Sequence, residues 1–330
     1  SKTTVMKIIN YYLETGLLLE KGKGDSTEEG GKKPLLYQFN ERHGHAFGIH
    51  IFPHELYIIV TDLRLNILED YSSPIPATIT AGEIIEKITE GIGSLQMSLS
   101  LPFEQCIGIA VGAHGITNFV EGIVELSPHF PSFGTNVPFT KMLRNALPSA
   151  PQIFIDNQIR FQVFAEQTIG IGADKKNIIV IEGGEGLVAG IIVKNEIKRG
   201  VHYIAGEIGH MVINPYDEEE CSCGGKGCFE TQVSTSRVLR QAEKFRRERP
   251  SSPLFREGVL DNEGISGIFR LAEAGEEVSR EILDDVIHWF AIGLSNLMLM
   301  HDPEIIIFHG IYAGAGEYFI HRLREEVNTT

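Results

Sequence analysis

Four typical metal donors lie close together between positions 210 and 228. They are one histidine and three of the chain's four cysteines: His210, Cys221, Cys223 and Cys228. One imidazole and three thiolates form the donor set of a closed, tetrahedral structural zinc site. The alternative is a disulfide with one spare thiol, which is disfavoured because no secretory context is visible in the sequence. We therefore expect one structural zinc ion at this position.

Two carboxylates flank the predicted metal site. Glu207 precedes His210 by three positions, so the two side chains share a face if this stretch forms a helical turn. Glu230 follows Cys228 by two positions. If zinc takes one nitrogen of His210, the other must find an acceptor or a ligand hydroxyl. Such a cluster suits the hydroxyls of a polyol, although the carboxylates could instead only cap or solvate a zinc knuckle.

The run Gly-Glu-Ile-Gly-His at 206–210, with Cys-x-Cys-Gly-x-x-Gly-Cys-x-Glu at 221–230, resembles the signature of the ROK family (repressors, open reading frames, kinases). The resemblance extends over nearly the whole chain and favours the repressor branch. It implies an α/β, two-lobed, actin-like ATPase fold of the sugar kinase and ribonuclease H type. It also implies zinc bound by the histidine and the three cysteines, and sugar hydroxyls bound by Glu207, His210 and Glu230. Asn157 is a further predicted sugar contact.

The composition is that of an ordinary globular chain. Its 330 residues, 42% hydrophobic and 22% charged, allow two or three domains. The sequence shows no uninterrupted apolar run of membrane-spanning length and no signal peptide, and reduced cysteines fit a cytoplasmic protein. The net charge of −15 argues against nucleic-acid binding over the whole surface. However, residues 1–40 carry six lysines against five acidic residues, a net charge of +1.

Residues 1–42 are predicted to form part of a winged helix-turn-helix. Residues 1–15 have an apolar helical stripe, and strands are predicted at 17–20 and 32–40 around a polar, glycine-rich turn. This pattern resembles the recognition helix and wing of ROK repressors, and we expect an earlier helix before Ser1 because the motif requires one. The alternative is an amphipathic helix beside a solvated hairpin. The predicted DNA contacts are Lys2, Thr3, Lys7, Asn10, Lys32 and Lys33.

Three motifs argue against kinase activity. Residues 50–54, His-Ile-Phe-Pro-His, stand where family kinases have Asp-x-Gly-x-Thr, and Pro53 has no N–H for a phosphate. Glu185 would repel phosphates by about 4 kcal/mol at roughly 4 Å and an effective dielectric constant near 20. Gln158 stands where these kinases have an aspartate base, and an amide cannot accept the proton.

The remaining pattern alternates strands and helices, which predicts an α/β fold with two lobes. Among its elements are one helix at 233–247 and a long apolar helix at 279–300. We expect a partial winged helix-turn-helix at 1–42, an N-terminal lobe at 43–156 and a C-terminal lobe with the zinc site at 157–330.

The predicted function is a sugar-responsive, non-enzymatic DNA-binding repressor of carbohydrate metabolism, with its sugar in the cleft between the lobes. Its predicted partners are operator DNA, a sugar effector and further copies of the chain in a homodimer or tetramer, with no membrane. The alternatives are a ROK-type kinase that phosphorylates a hexose with ATP and a zinc-knuckle protein-interaction module.

Overall fold

The chain divides into two compact units, Ser1–Gln158 and Ile159–Thr330. The computed structural model describes residues 1–24, 33–256 and 258–329. The division falls just after the boundary predicted between residues 156 and 157. The separate domain expected at residues 1–42 stays a prediction.

The N-terminal elements of the first unit are helix α1 (Lys2–Glu14) and the antiparallel strands β1 (Leu18–Lys23) and β2 (Leu35–Phe39). Ser1 caps α1 by accepting a hydrogen bond from the Thr4 N–H at 3.4 Å, and Gly16 follows the helix with a φ of +81°. Every residue of α1 keeps part of its surface exposed. The predicted glycine-rich turn and the start of the second predicted strand, with Lys32, lie outside the described residues, and β2 begins at Leu35.

The rest of the first unit is built on one mixed sheet with strand order β10–β6–β3–β4–β5. Strands β3, β4 and β5 are antiparallel neighbours, whereas β6 runs parallel to both β3 and β10. Alternate residues of β3 are buried, which places Phe47, Ile49 and Ile51 in a core with α2 and α3. The elements are β3 (His45–Ile51), β4 (Glu55–Asp62), β5 (Ile67–Pro74), α2 (Ala81–Leu99), β6 (Cys106–Ala113), β7 (Ile116–Asn118), β8 (Ile123–Leu126), β9 (Thr135–Val137), α3 (Phe139–Ala146) and β10 (Ile153–Asn157).

Helix α2 begins with a capping box. The Glu83 N–H donates to Thr80 Oγ1 at 3.3 Å, and the Thr80 N–H donates to Glu83 Oε2 at 2.8 Å. These two bonds satisfy backbone donors that have no partner inside a helix, so they fix where α2 begins. Strands β7, β8 and β9 form a small separate sheet between β6 and α3.

The second unit has a sheet of order β13–β12–β11–β14, in which β14 runs parallel to β11. Its elements are α4 (Gln158–Thr168), β11 (Ile178–Gly183), β12 (Leu187–Val193), β13 (Glu196–Ile197), α5 (Phe229–Val233), α6 (Thr235–Glu248), α7 (Ile265–Glu273), α8 (Glu277–His301), β14 (Ile305–Gly310) and α9 (Gly316–Thr329). The helix predicted at 233–247 is α6, which begins two residues later because Ser234 is extended and caps α6 by accepting from the Arg237 N–H; the short helix α5 before it was not predicted.

Helix α8 is the structural centre of the second unit's core. By length and composition alone it could cross a membrane, but half of its most apolar window is buried inside the protein. Phe290 is fully buried and meets the rings of Phe229, Tyr312 and Phe319 in edge-on contacts. This packing is that of a core helix.

Candidate metal centre

The candidate metal centre is positioned by a 3₁₀ turn and by the start of α5. The 3₁₀ turn (Ile208–His210) follows Gly206, whose φ is +99° and whose absent Cβ would lie 2.0 Å from the Ala189 carbonyl oxygen. Only glycine fits there. The Phe229 N–H donates to the Met211 carbonyl at 2.8 Å, which joins the end of the cysteine loop to the residue after the turn.

The structure brings the four predicted metal donors together. The donor atoms of His210, Cys221, Cys223 and Cys228 all lie within 4.8 Å of one another. The Cys223 and Cys228 sulfurs are 3.7 Å apart, and the Cys221 sulfur lies 3.4 Å from His210 Nδ1. All four cysteines of the chain are free, and a separation of 3.7 Å is far beyond the roughly 2.05 Å of a disulfide.

These distances fit a tetrahedral metal ion. Zinc bonds of about 2.3 Å to sulfur and about 2.0–2.1 Å to nitrogen place two sulfurs about 3.8 Å apart and a sulfur and a nitrogen about 3.5 Å apart. Burial raises the pKa of the Cys221 thiol to about 12. A metal ion would therefore have to displace protons as it binds, as thiolate sites do in general. The cluster could hold a metal ion.

The predicted carboxylates stand beside the same cluster. The Cys221 thiol donates to Glu230 Oε1 at 3.0 Å, and the same oxygen lies 3.8 Å from His210 Nδ1. Burial raises the pKa of the Glu207 carboxyl, and the charges of His210 and Arg160 oppose that shift. Glu207, His210 and Glu230 therefore form one electrostatic group, as the three-residue spacing and the following glutamate predicted.

Arg160 is a residue of this group that the sequence did not reveal. Its side chain is buried, and its Nη2 donates to the Tyr203 carbonyl at 2.6 Å, close to Glu207 in sequence. A buried guanidinium stabilises a nearby carboxylate in its ionised form. In the sequence, Arg160 is only a charged residue in the first turn of α4. That position by itself does not indicate a neighbour of Glu207.

Asn157 belongs to the first unit, at the end of β10. It is buried, and its side-chain amide donates to the Gly115 carbonyl at 2.9 Å. Asp156 Oδ1 accepts from the Asn157 backbone N–H at 2.8 Å. Its part in sugar binding stays a prediction.

The predicted DNA contacts on α1 are all exposed: Lys2, Thr3, Lys7 and Asn10. Lys33 is exposed just before β2, whereas Lys32 lies outside the described residues. The exposed surface of α1 also includes part of its apolar stripe, with Val5 54% and Ile8 51% exposed.

The three segments that differ from the kinase motifs lie after β3, in the β11–β12 turn and at the start of α4. Phe52 lies directly after β3, with its ring 3.6 Å from that of His50, and its N–H donates to the Glu55 carbonyl. Glu185 is exposed at the tip of the β11–β12 turn, where the Thr235 N–H donates to the Gly184 carbonyl at 2.9 Å. Gln158 is buried at the start of α4.

A histidine cluster lies beside the first of these segments. The rings of His50 and His114 are stacked with centroids 5.5 Å apart, and His129 meets His114 edge-on at 5.1 Å. Burial lowers the pKa of His50 to about 4. Burial, helped by the charges of its two neighbours, lowers the pKa of His114 to about 3.

Solved structures described as a transcriptional regulator and as a sugar kinase share this fold. A solved structure described as a ROK family transcriptional regulator, homolog of the E. coli MLC protein, superposes with a TM-score of 0.84 at 20% identity, covering 100% of this chain and 81% of that one. A ROK family glucokinase from Streptomyces griseus, in complex with glucose and AMPPNP, gives 0.70 at 23% identity, covering 87% and 89%. At these identities the similarity concerns the fold alone.

The ROK family model matches residues 46–330, and the chain belongs to the ROK family. It is 29% identical to a xylose repressor of Caldicellulosiruptor bescii over 99% of this chain and 80% of the relative. It is 24% identical to the DNA-binding transcriptional dual regulator NagC of Escherichia coli over 99% and 77%. A glucokinase of Thermotoga maritima is 27% identical over 74% of this chain and 75% of the relative. The family resemblance and the α/β fold are confirmed, while the winged helix-turn-helix stays a prediction.

Proposed function

We propose that this protein is a sugar-responsive, DNA-binding transcriptional repressor of carbohydrate metabolism that lacks kinase activity. One observation carries the proposal. The similarity to proteins named as a repressor and as a DNA-binding transcriptional regulator runs over 99% of the chain, so it includes the exposed helix α1 and the β1–β2 ribbon that precede the matched ROK residues. The similarity to a glucokinase covers 74% of the chain.

In this proposal His210, Cys221, Cys223 and Cys228 hold one structural zinc ion, with His210 using Nδ1, the nitrogen that faces the cysteines. Bound zinc would supply no reaction step; it would fix the 3₁₀ turn against the start of α5. The other nitrogen of His210 is then available to a ligand hydroxyl, and the His210 side chain is 38% exposed.

The proposed sugar site uses Glu207, His210 and Glu230. Each hydroxyl paired with an ionised carboxylate makes a charge-assisted hydrogen bond of roughly 1.5–3 kcal/mol. The nearby Arg160 supports the ionised form of Glu207. An uncharged monosaccharide is favoured over its phosphate because the site is acidic. Asn157 of the first unit stays a predicted contact with the sugar.

The absence of kinase activity rests on the chemistry of three segments. Phe52 fills space that a glycine would leave open for phosphates, and Pro53 has no N–H to donate to them. Exposed Glu185 would meet a phosphate with a like charge. Gln158 supplies an amide where a carboxylate base is needed.

For DNA binding, we propose that α1 enters a major groove, with Lys2, Thr3, Lys7 and Asn10 as contacts, while Lys32 and Lys33 meet the backbone or the minor groove. One such module carries few cations on a chain whose net charge is −15. A homodimer would place two modules on half-sites about one helical turn apart, or a multiple of it. Sugar binding should lower DNA affinity by the coupling that is usual for allosteric proteins, about 5–150-fold.

The DNA test is fluorescence anisotropy with fragments from the promoter region of the protein's own operon. Lys7→Ala should weaken binding, whereas Lys244→Ala, an exposed lysine of α6, is the matched control and should not. A protein that binds none of these fragments, with or without sugar, is not a repressor of that operon.

The sugar test is a calorimetric screen of pentoses, hexoses and N-acetylhexosamines, with and without ATP. Glu207→Ala should abolish sugar binding while zinc, measured by elemental analysis, stays bound. Sugar-dependent hydrolysis of ATP with formation of a sugar phosphate would establish a kinase instead. If wild type binds neither sugar nor DNA, the zinc-knuckle interaction module becomes the better description.

A further inference from the structure

A cavity of about 210 Å³ lies in the first unit, where the N-terminal elements join the mixed sheet. Its lining residues take no part in the proposed metal, sugar or DNA sites. They are Arg42, Gly44, His45, Leu68, Leu99 and Leu101. This volume can hold several water molecules or one small organic molecule.

His45 is the buried polar group of this cavity. Its side chain is 1% exposed, and neither ring nitrogen forms a hydrogen bond within the part of the chain that the structure describes. The ring is held edge-on against Phe47, with centroids 5.4 Å apart. Leaving a buried polar atom without a partner costs about 1–3 kcal/mol, and native proteins usually avoid it. A ligand in the cavity would supply the missing partner.

Two interruptions of strand pairing meet at the same corner of the sheet. Val60 pairs with Glu69 and Thr61 with Ile67, which leaves Leu68 as an extra residue in β5. The pairing of β3 with β6 shifts in the same way directly after His45. Bulges redirect side chains and are frequent beside functional sites. Here one bulge contains Leu68 and the other follows His45, and both of these residues line the cavity.

The positive charge of the cavity comes from Arg42, which precedes Gly44 in a 3₁₀ turn. The nearby carboxylates take their hydrogen bonds from other groups. The hydrogen bond from the Asn66 side chain lowers the pKa of the Asp62 carboxyl, and the Arg42 charge also helps to lower it. Glu41 pairs with Arg64 at 3.0 Å, and Asp62 accepts hydrogen bonds from the backbone N–H groups of Arg64 and Asn66 and from the Asn66 side chain at 2.8–3.0 Å. The guanidinium therefore keeps donor capacity for an anion.

We propose that this cavity binds a small amphipathic carboxylate, with its carboxylate between the Arg42 guanidinium and a His45 N–H. Its short hydrocarbon part packs against the three leucines. Because burial keeps His45 neutral, the ring offers one donor and one acceptor. The site lies on the chain segment that joins β2 to β3, so an occupied cavity would hold that junction together. This inference does not depend on the proposed sugar or DNA binding.

The test uses the full chain with ¹³C-labelled histidine and 3-methylbutanoate as the probe, followed by NMR. The His45 ring signal, assigned with His45→Phe, should shift saturably. Arg42→Gln should weaken binding about tenfold, the loss expected for one charge-assisted hydrogen bond. Lys141→Gln is the matched control, since Lys141 is an exposed cation of α3 in the same unit that does not line the cavity, and it should leave the affinity unchanged.

Uncharged 3-methylbutanamide, which has the same shape, should bind about tenfold more weakly than the acid. The proposal is overturned if 3-methylbutanoate leaves the His45 signal unmoved, or if Arg42→Gln binds as tightly as wild type. Equal affinity for the amide would overturn the assignment of a carboxylate ligand. All variants are compared for folding by circular dichroism, and Arg42→Gln changes an exposed residue, so it tests the site even if His45→Phe does not fold.

Discussion

The stacked histidines of the first unit should make the protein lose stability between pH 7.5 and 5.5. In the folded state, burial lowers the pKa of His50 to about 4 and that of His114 to about 3. Both rings therefore stay neutral at pH 5.5. In the unfolded chain each ring returns to an ordinary pKa of about 6.5 and takes up a proton over this range.

The unfolded state thus binds more protons, so the free energy of unfolding falls as the pH falls. Integrating one histidine with an unfolded pKa of about 6.5 from pH 7.5 to 5.5 gives about 1.4 kcal/mol, and two give about 3 kcal/mol. The loss of stability is small above about pH 7.5 and grows as the pH falls through the unfolded pKa of about 6.5. The magnitude depends mainly on the unfolded pKa, because both folded values lie well below pH 5.5.

The assay is urea unfolding at pH 7.5 and 5.5, followed by circular dichroism. We expect the free energy of unfolding of the double variant His50→Gln, His114→Gln to depend less on pH. From pH 7.5 to 5.5 it should fall by about 3 kcal/mol less than that of wild type. His321→Gln, whose side chain is 75% exposed, is the control and should behave like wild type. An unchanged pH dependence in the double variant, or a ring that titrates near pH 6.5 by NMR in the folded protein, would refute the reasoning.

Three further predictions concern packing, capping and metal. Gly293→Ala places a methyl 2.2 Å from a phenylalanine ring of α5 and should cost about 1–3 kcal/mol. By contrast, the methyl added by Gly93→Ala meets no described heavy atom within 4 Å, so this change should stabilise α2 by about 0.5–1 kcal/mol. Thermal melts in which both variants shift the melting temperature in the same direction would contradict this. Thr80→Ala removes the capping box and should cost about 1 kcal/mol in urea unfolding, whereas Thr80→Ser should restore most of it. Cys223→Ala should lower zinc content, measured by elemental analysis under reducing conditions, and destabilise the second unit; wild type purified without zinc would rule out the metal.

Elements with long, regular patterns could be predicted from the sequence. Strand β3 and the first half of β4 alternate buried and more exposed residues, and the apolar spacing of α2 and α8 covers many turns. Strands β7, β8 and β9 span three or four residues each, too few for alternation to be recognised. The short helix α5 was missed because it spans only five residues, and the extended backbone of Ser234 separates it from α6.

In the candidate site, too, some features follow from a local sequence pattern and others do not. The metal cluster depends on donors within nineteen positions of one another, so spacing alone predicted it. Arg160 reaches this region through a hydrogen bond to Tyr203, 43 positions along the chain. Contacts between residues so far apart in sequence give no local pattern. The strand bulges around His45 give none either, because they depend on the pairing register of four strands, β3 with β6 and β4 with β5.

The parallel pairing of β11 with β14 determines the order in which the two units can fold during synthesis. Strand β10 completes the sheet of the first unit by Asn157, soon after its partner β6 has been made. Strand β11 can pair with β12 on one edge as soon as β12 is made. Its other edge stays unpaired until β14 (Ile305–Gly310) has been made. At about 5–20 residues per second, that edge stays unpaired for roughly 6–25 s after Gly183 is made. An open strand edge of apolar residues is prone to aggregation. The second unit should therefore depend more than the first on chaperones while the protein is being made.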